Sequence, residues 1–398
     1  MNLNYTFSNK AKRVTFMLMG IGVLALVYAL VSGIDGQRIW ANVLVDSFFF
    51  MAISLAITFF IAVQYAAESG WSTSVKRVFE AVSTYLPIGI LCMLFILISG
   101  DLFHWHHLYE WMTPGINTKG SPEYDKIIAG KQGYFSPVFF WGRTLAYALI
   151  WWLFQKGFRK RSLEADLNGD LSIHFKNVKN AAIFLVLFGV TSSTAAWDWI
   201  MSIDTHWFST LFGWYVFAGM WISALITVIM LVVYLKKKGY LEQVNESVIH
   251  DLGKWMFAIS FLWSYLWFAQ FMLIWYANIP EEVTYFTNRI DNYRWLFFGM
   301  FLINFVFPMV IMMSRDAKRN FGFLTTIATI IFIGHWLDVF VLIMPGTVKE
   351  NWHINFLEIG MFLGFLGVFI FVVLTSLSKA PLMVKNHPYL DESIHHHI

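Results

Sequence analysis

The chain has 398 residues, of which 58% are hydrophobic and 13% are charged; soluble globular domains carry about a quarter of charged residues, so this composition excludes a soluble globule. The formal net charge is +3 and the basic residues form short clusters between apolar runs, which excludes an extended nucleic-acid-binding surface. The single cysteine, Cys92, lies within an apolar run, and this excludes a disulfide framework, a CxxCH haem attachment, a thiolate zinc site and a cysteine-ligated iron–sulfur cluster.

Ten apolar stretches follow one another along the chain, each close to the roughly 20 residues that a helix needs to cross a hydrocarbon core of about 30 Å. In chain order they are Val14–Ser32, Asn42–Tyr65, Val82–Gly100, Ser136–Gln155, Ala181–Met201, Phe208–Leu235, Trp255–Ala277, Trp295–Ser314, Phe321–Met344 and Ile354–Leu377. The pattern predicts an all-α, polytopic transmembrane helical bundle that forms one integral membrane domain, residues 1–398. The first stretch is as long as a span and lacks a small-x-small cleavage site, which favours a retained helix over a secretion signal.

Basic residues alternate between the two sides of these stretches. Of the 28 Lys and Arg residues, 20 fall in the N-terminal segment, in every second connection and in the C-terminal tail, and 7 fall in the other connections. The positive-inside rule therefore places both termini in the cytoplasm, together with clusters such as Arg315, Lys318 and Arg319. The larger segments outside the spans are then an outer loop, residues 101–135, a cytoplasmic loop, residues 156–180, and a cytoplasmic tail, residues 379–398.

Ionisable side chains are rare within the stretches, and each costs about 2.5–3.5 kcal/mol on insertion scales, which makes each a functional candidate. With the predicted orientation, these and one amide lie in the outer half of the bilayer or at its outer edge: Asp46, Arg143, Asp198, Gln270, His335, Asp338 and Glu358. The inner half offers hydroxyl groups and no buried carboxylate. Asp46 and Glu358 are close enough to the outer surface that we expect them to be hydrated.

His335 and Asp338 are three residues apart on one predicted helix, so they share a face and can hold a proton or a ligand between them. The alternative is a structural pair that ties this helix to a neighbour. Arg143 stays charged and needs a protein partner inside the bilayer, with Asp198 or Asp338 as its counterion. An ion pair that simply holds the bundle together is the alternative there.

Other sequence features bear on cofactors and packing. His335 is the one histidine well inside a predicted span, whereas membrane haem is normally held by two facing histidines, so we expect no haem. The interfacial histidines His104, His106 and His107 suggest either a metal site or, as we prefer, an aromatic and polar belt.

Pro308 should disturb the eighth span near Asn304. Three glycines of the tenth span should permit close approach of another helix: Gly360, Gly364 and Gly367.

Several motifs resemble one known family. They are the run AWDWIMSIDTHWFSTLFG at Ala196–Gly213, the triplet LGK at Leu252–Lys254, the pair QF at Gln270–Phe271, the run IWYANIPEE at Ile274–Glu282 and the segment from HWLD at His335–Asp338 to Met344–Pro345. Together they resemble the NrfD-like integral membrane subunits of bacterial alternative complex III, and most of all the smaller, ActF-type subunits. The motifs cover the fifth to ninth spans, about half of the chain.

The resemblance implies a fold of two four-helix bundles with two extra helices, and a subunit of a quinol:cytochrome c or oxidase oxidoreductase in the bacterial cytoplasmic membrane. It implies menaquinone or ubiquinone as the ligand, and partners that include lipid, the paralogue ActC, subunits carrying iron–sulfur clusters and c-type haem, and a terminal oxidase. The candidate proton-relay or quinone-proximal residues are Asp198, His335, Asp338, Arg143, Gln270, Asp204, His206 and Glu358.

Three functions remain open from the sequence. The first is a subunit without cofactors of its own that supports quinol oxidation near the outer surface, which we prefer. The second is proton pumping through this subunit, which would need a relay across the whole bilayer. The third is an independent secondary transporter, although such proteins usually show broken helices in two matching halves, and the chain has one clear mid-span proline.

Overall fold

The computed structural model describes residues 4–313 and 320–397, so the predicted cytoplasmic cluster at positions 315, 318 and 319 lies outside the described residues. The described part consists of helices and connecting segments, without strands. The helices are α1 Asn9–Val31, α2 Gly36–Ala66, α3 Lys76–Ser83, α4 Leu86–Asp101, α5 Lys126–Gly130, α6 Gln132–Phe135, α7 Pro137–Asn168, α8 Leu171–Trp199, α9 Phe212–Lys237, α10 Glu246–Ala277, α11 Pro280–Asn292, α12 Arg294–Phe301, α13 Phe307–Ile311, α14 Phe321–Thr347, α15 Phe356–Leu377 and α16 Leu390–Ile394.

Nine helical segments of the described residues are long and apolar enough to cross a membrane. They coincide with nine of the ten predicted stretches and support the prediction of a polytopic helical membrane protein. The remaining stretch, Ser136–Gln155, forms the first part of the 32-residue helix α7, which is less apolar because it contains Arg143 and continues into a charged second half. The count of ten spans, and their division into two four-helix bundles, therefore remain predictions.

Polar side chains start many of these helices, because the first backbone N–H groups of a helix need acceptors. Ser8, Asp35, Asp125, Asp170, Asn245, Asn320 and Asn355 accept such hydrogen bonds. Helices α2, α9 and α14 lie at the centre of the bundle, since 94%, 78% and 78% of their most apolar segments are buried. Their near-continuous apolar sequences follow from burial on all sides.

Helix α1 lies at the periphery and packs on α15 through glycines, as predicted for the tenth span. A Cβ atom built on Gly364 would lie 2.8 Å from the Cα atom of Gly22. The two backbones therefore touch where neither residue has a side chain. The partner of the predicted glycine face is thus a helix of this same chain.

Replacing Gly364 with valine should separate α1 from α15, since its new side chain would meet backbone atoms that cannot move aside. We expect a loss of about 1–3 kcal/mol in the free energy of unfolding, the usual cost of overpacking. Gly20→Ala is the matched control, because nothing lies within 4 Å of its added Cβ. The measurement is unfolding of the purified protein in detergent, and equal stability of both variants would contradict this packing.

The bundle has two distinct ends. We call the end that carries both termini the terminal end, and the other the opposite end. At the terminal end, the C-terminal tail crosses several connections: the backbone N–H of Ser74 donates to the Ser393 hydroxyl (2.9 Å), the Lys385 N–H donates to Asp166 (3.0 Å), and the Asn245 amide donates to the His396 carbonyl (2.6 Å). The tail is therefore a packed part of the fold.

Between α12 and α13 the backbone makes a π-helical turn, Leu302–Val306. Pro308 lacks the N–H that would bond to the carbonyl of Asn304 in an α-helix. The disturbance that the sequence predicts at this point thus takes the form of a π-helical turn, a feature that is frequent at functional sites.

Candidate functional site

Asp338 lies at the centre of a polar cluster inside the bundle. The Tyr215 hydroxyl donates to its Oδ1, and the Trp263 indole N–H donates to its Oδ2 at 2.9 Å. His335 Nδ1 lies 3.8 Å from Oδ2. Helices α9, α10 and α14 bring these groups together, and we call them the Asp338 cluster. The prediction that His335 and Asp338 share one face is confirmed.

His335 of this cluster and Asn304 of the π-helical turn are unusual in their hydrogen bonding. Both are buried, and within the described residues neither the His335 ring nitrogens nor the Asn304 amide atoms make a hydrogen bond. The Asn304 amide faces Gly334, where any added Cβ would collide with it. Buried polar atoms are almost always satisfied by protein or ordered water, so both side chains depart from the usual pattern.

A cavity of about 20 Å³ lies next to the Asp338 cluster, on the side that faces the opposite end of the bundle. It has room for about one water molecule. Its lining includes Asp338, Tyr215, the buried amide of Gln270 and Arg289. Asp338 can therefore exchange a hydrogen bond or a proton with a single water at this place.

Arg289 links this small cavity to the surface. It is 1% exposed, its guanidinium lies 3.4 Å from the centre of the Tyr285 ring, and it contacts Asp204 at 3.2 Å. Asp204 and Tyr285 in turn line an open polar cavity of about 370 Å³ at the opposite end, together with His206. Asp204, Arg289 and Tyr285 thus separate the Asp338 cluster from the surface.

Arg143 and Asp198 form a second polar cluster. Nε and Nη2 of Arg143 each donate to Asp198 at 2.9 Å, and the Tyr147 hydroxyl donates to the same carboxylate at 2.9 Å. The guanidinium also stacks on the Tyr134 ring at 3.9 Å. We call these four residues the Asp198 cluster. The sequence allows Asp198 or Asp338 as the counterion of Arg143, and in the structure the counterion is Asp198.

A larger, mainly apolar cavity of about 310 Å³ adjoins the Asp198 cluster. Tyr134 lines it directly, and so does Ser202, whose hydroxyl donates to the main-chain oxygen of Asp198 at 2.6 Å. Aromatic and apolar side chains form most of the wall: Phe135, Trp197, Met201, Trp207 and Phe208. Lys131 supplies a cation, and its partial burial lowers the pKa of its ammonium group.

The remaining candidates lie nearer the surface or serve the fold. His206 is exposed and bonds to Asp125 at 2.9 Å, and hydrogen bonds from the Ile128 N–H and from His206 lower the pKa of Asp125.

Glu358 is fully buried, pairs with Arg38 at 2.8 Å and completes a capping box at the start of α15. The expectation that Glu358 is hydrated is therefore wrong, because its carboxylate is buried in this ion pair and helix cap.

Asp46 also departs from expectation. It is 1% exposed and accepts a hydrogen bond from the Trp336 indole at 2.8 Å. The expectation of a hydrated carboxylate is wrong here as well, because the helices around α2 cover this position. Asp46 thus resembles Asp338 in being a buried carboxylate that bonds to an indole N–H.

The sequence reasoning also missed a buried carboxylate near the terminal end. Glu80 is 1% exposed and pairs with Arg77, which also pairs with Asp166. Glu80 lies inside the apolar helical segment Thr73–Asp101, which starts earlier than the predicted span. The prediction that this half of the bundle has no buried carboxylate is therefore wrong. The sequence feature that could have revealed this buried ion pair is the three-residue spacing of Arg77 and Glu80 beside an apolar run.

The interfacial histidines do not converge. His106 is buried, bonds to the Ile96 carbonyl at 3.0 Å and lies at a tilt against the Trp40 ring, and its burial lowers the pKa of its ring. His104 and His107 are exposed. Over the described residues, no group of three His, Cys, Asp or Glu side chains is arranged to hold a metal ion. The local geometry fits an aromatic and polar belt.

No family model matches the chain, and no curated protein matches it.

Proposed function

We propose that this protein is an integral membrane subunit of a bacterial quinol-oxidising complex of the alternative complex III type, similar to the ActF-type subunits. The motif resemblance supports the proposal, because the motifs contain Asp198, His335 and Asp338 of the two polar clusters. They also contain Gln270, which lines the adjoining cavity. In this proposal the chain lies in the cytoplasmic membrane with the terminal end in the cytoplasm. Iron–sulfur clusters and c-type haem belong to partner subunits, and ActC is the neighbouring paralogue.

The observation that carries the proposal is the apolar cavity beside the Asp198 cluster. Its volume of about 310 Å³ is at the lower end of the range for small-molecule sites. Aromatic walls suit a quinone ring, while Tyr134, Ser202 and Lys131 offer polar contacts. Oxidation of a quinol releases protons as well as electrons, so a proton acceptor must be close by. Asp198, the carboxylate of the cluster, lies behind Tyr134 and Ser202 and is the candidate proton acceptor.

The Asp338 cluster supports a second step of the same function. The series from Asp338 through the water-sized cavity to Arg289 and Asp204 leads toward the polar cavity at the opposite end. When water occupies the cavity, protons can leave Asp338 through that water toward the outer surface, while Arg289 stays protonated and acts on Asp204 only through its positive charge. Pumping across the whole bilayer would also need a route from the terminal end, where Glu80 is held between charged partners.

The first test is purification of the tagged protein from its native membranes, followed by treatment with a photoreactive quinone. We expect co-purifying subunits with c-haem absorbance and iron–sulfur signals, and labelled peptides from residues 130–135 and 197–208. Excess unlabelled quinone serves as the control and should abolish the labelling. A lone, stable protein that transports a solute and takes up no label in these segments would instead support an independent secondary transporter.

A further inference from the structure

A separate cavity of about 20 Å³ lies at the terminal end, and no residue of the Asp338 or Asp198 cluster lines it. Its lining includes Tyr65 and Lys76 from the first part of the bundle, His174 from α8 and His387 from the C-terminal tail. A space of this size holds one water molecule or one monatomic ion. Phosphate, carboxylate and larger ligands are too big for it.

Lys76 gives this cavity a buried positive charge. The residue is 9% exposed, and its ammonium lies 4.3 Å from the centre of the Tyr65 ring. Across residues 4–313 and 320–397, no carboxylate forms an ion pair with it. Glu80 attracts the charge of Lys76 from beyond ion-pair distance, but its carboxylate, like that of Asp166, is paired with Arg77. A buried charge without a close ion-pair partner is costly, so a counterion would stabilise the site.

Glu68 is the one acid among the lining residues, and it does not supply that counterion. Its side chain is exposed, and it accepts a hydrogen bond from the Tyr389 hydroxyl at 3.4 Å. Water therefore screens its charge, whereas the charge of Lys76 is buried.

The two histidines add hydrogen-bond donors. His174 is 6% exposed, and neither of its ring nitrogens has a partner in the described part of the chain. Tyr389 N–H donates to Nδ1 of His387 at 3.4 Å, which leaves Nε2 protonated in the neutral ring. Burial and the nearby Lys76 lower the pKa of His387 to about 2. The neutral ring of His387 is thus available as an N–H donor.

We infer that this cavity is a binding site for a monatomic anion of the chloride class, held by Lys76 and His174 and closed by His387 of the C-terminal tail. An ammonium group and imidazole N–H groups suit an anion, and the positive charge of Lys76 repels a metal cation. Because the tail supplies part of the lining, anion binding and docking of the tail are linked and must strengthen each other. The inference does not depend on the proposed role in quinol oxidation.

The test uses the intact purified protein near neutral pH, in sodium chloride or in sodium gluconate of equal ionic strength. Trypsin cleavage after Lys385, an exposed tail residue, reports release of the tail. We expect chloride to slow this cleavage about tenfold at ten times its Kd, because the released population falls in that proportion. Crystals grown with bromide should show an anomalous peak between Lys76 and His174.

Two variants and one control complete the experiment. Lys76→Met should lose the chloride effect, and His174→Phe serves the same purpose if the first variant does not fold. Lys237→Met removes an exposed lysine of the same end and should keep the effect. An equal chloride effect in Lys76→Met and in the unchanged protein, or bromide-containing crystals without a peak in the cavity, would overturn the inference and leave a water site.

Discussion

Replacing Arg143 with leucine should destabilise the protein strongly, by about 3 kcal/mol or more, because removal of one partner leaves the other charge buried and unpaired. Asp198 is fully buried and receives both guanidinium hydrogen bonds. The variant also loses the stacking of Arg143 on Tyr134 and Phe139, whose ring centres lie 3.9 and 4.2 Å away. The measurement is reversible unfolding of the purified protein in a detergent mixture.

The double variant Arg143→Leu with Asp198→Asn distinguishes a structural role of this ion pair from a role of Asp198 in quinol oxidation. Removing the second charge should recover most of the lost stability, since the asparagine side chain can still accept the Tyr147 hydrogen bond. Lys254→Met is the control, because Lys254 pairs with Asp251 at an exposed site and such pairs contribute about 0.2–1 kcal/mol. A stable double variant that oxidises quinol at the normal rate would remove Asp198 from the proposed mechanism and leave a purely structural ion pair.

Membrane character and most helices were predictable because they depend on local composition. A run of about 20 apolar residues predicts a span without knowledge of its neighbours, and nine of the ten stretches fall on long apolar helices. The pair His335 and Asp338 was predictable for the same reason, since helical periodicity alone fixes its common face.

Contacts between distant helices were not predictable. Tyr215 and Trp263 read as ordinary aromatic residues of apolar helices, yet both bond to Asp338. Arg289 lies in a connecting segment by sequence, yet it is buried against Asp204. Distance from the bilayer centre likewise did not reveal whether other helices cover a carboxylate, and this explains the wrong expectations for Asp46 and Glu358.

Replacing Asp338 with asparagine should lower quinol oxidation by the assembled complex by about 10²-fold, if this carboxylate moves a proton in the rate-limiting step. The asparagine oxygen can accept from the Trp263 N–H, and its amide group can donate to the Tyr215 hydroxyl, which accepts as well as donates, so the packing should persist. Proton release by the complex in vesicles should fall together with quinol oxidation. The assay needs the complete complex, with haem c absorbance used to confirm assembly.

Asp46→Asn is the matched control for this prediction. Asp46 and Asp338 are both buried, and each bonds to an indole N–H, at 2.8 Å and 2.9 Å. They differ in their surroundings, because Asp338 also borders His335 and the water-sized cavity that leads to Arg289. Equal small effects of the two substitutions would make both carboxylates structural. A large effect at Asp338 alone would assign proton transfer to the carboxylate that meets the cavity.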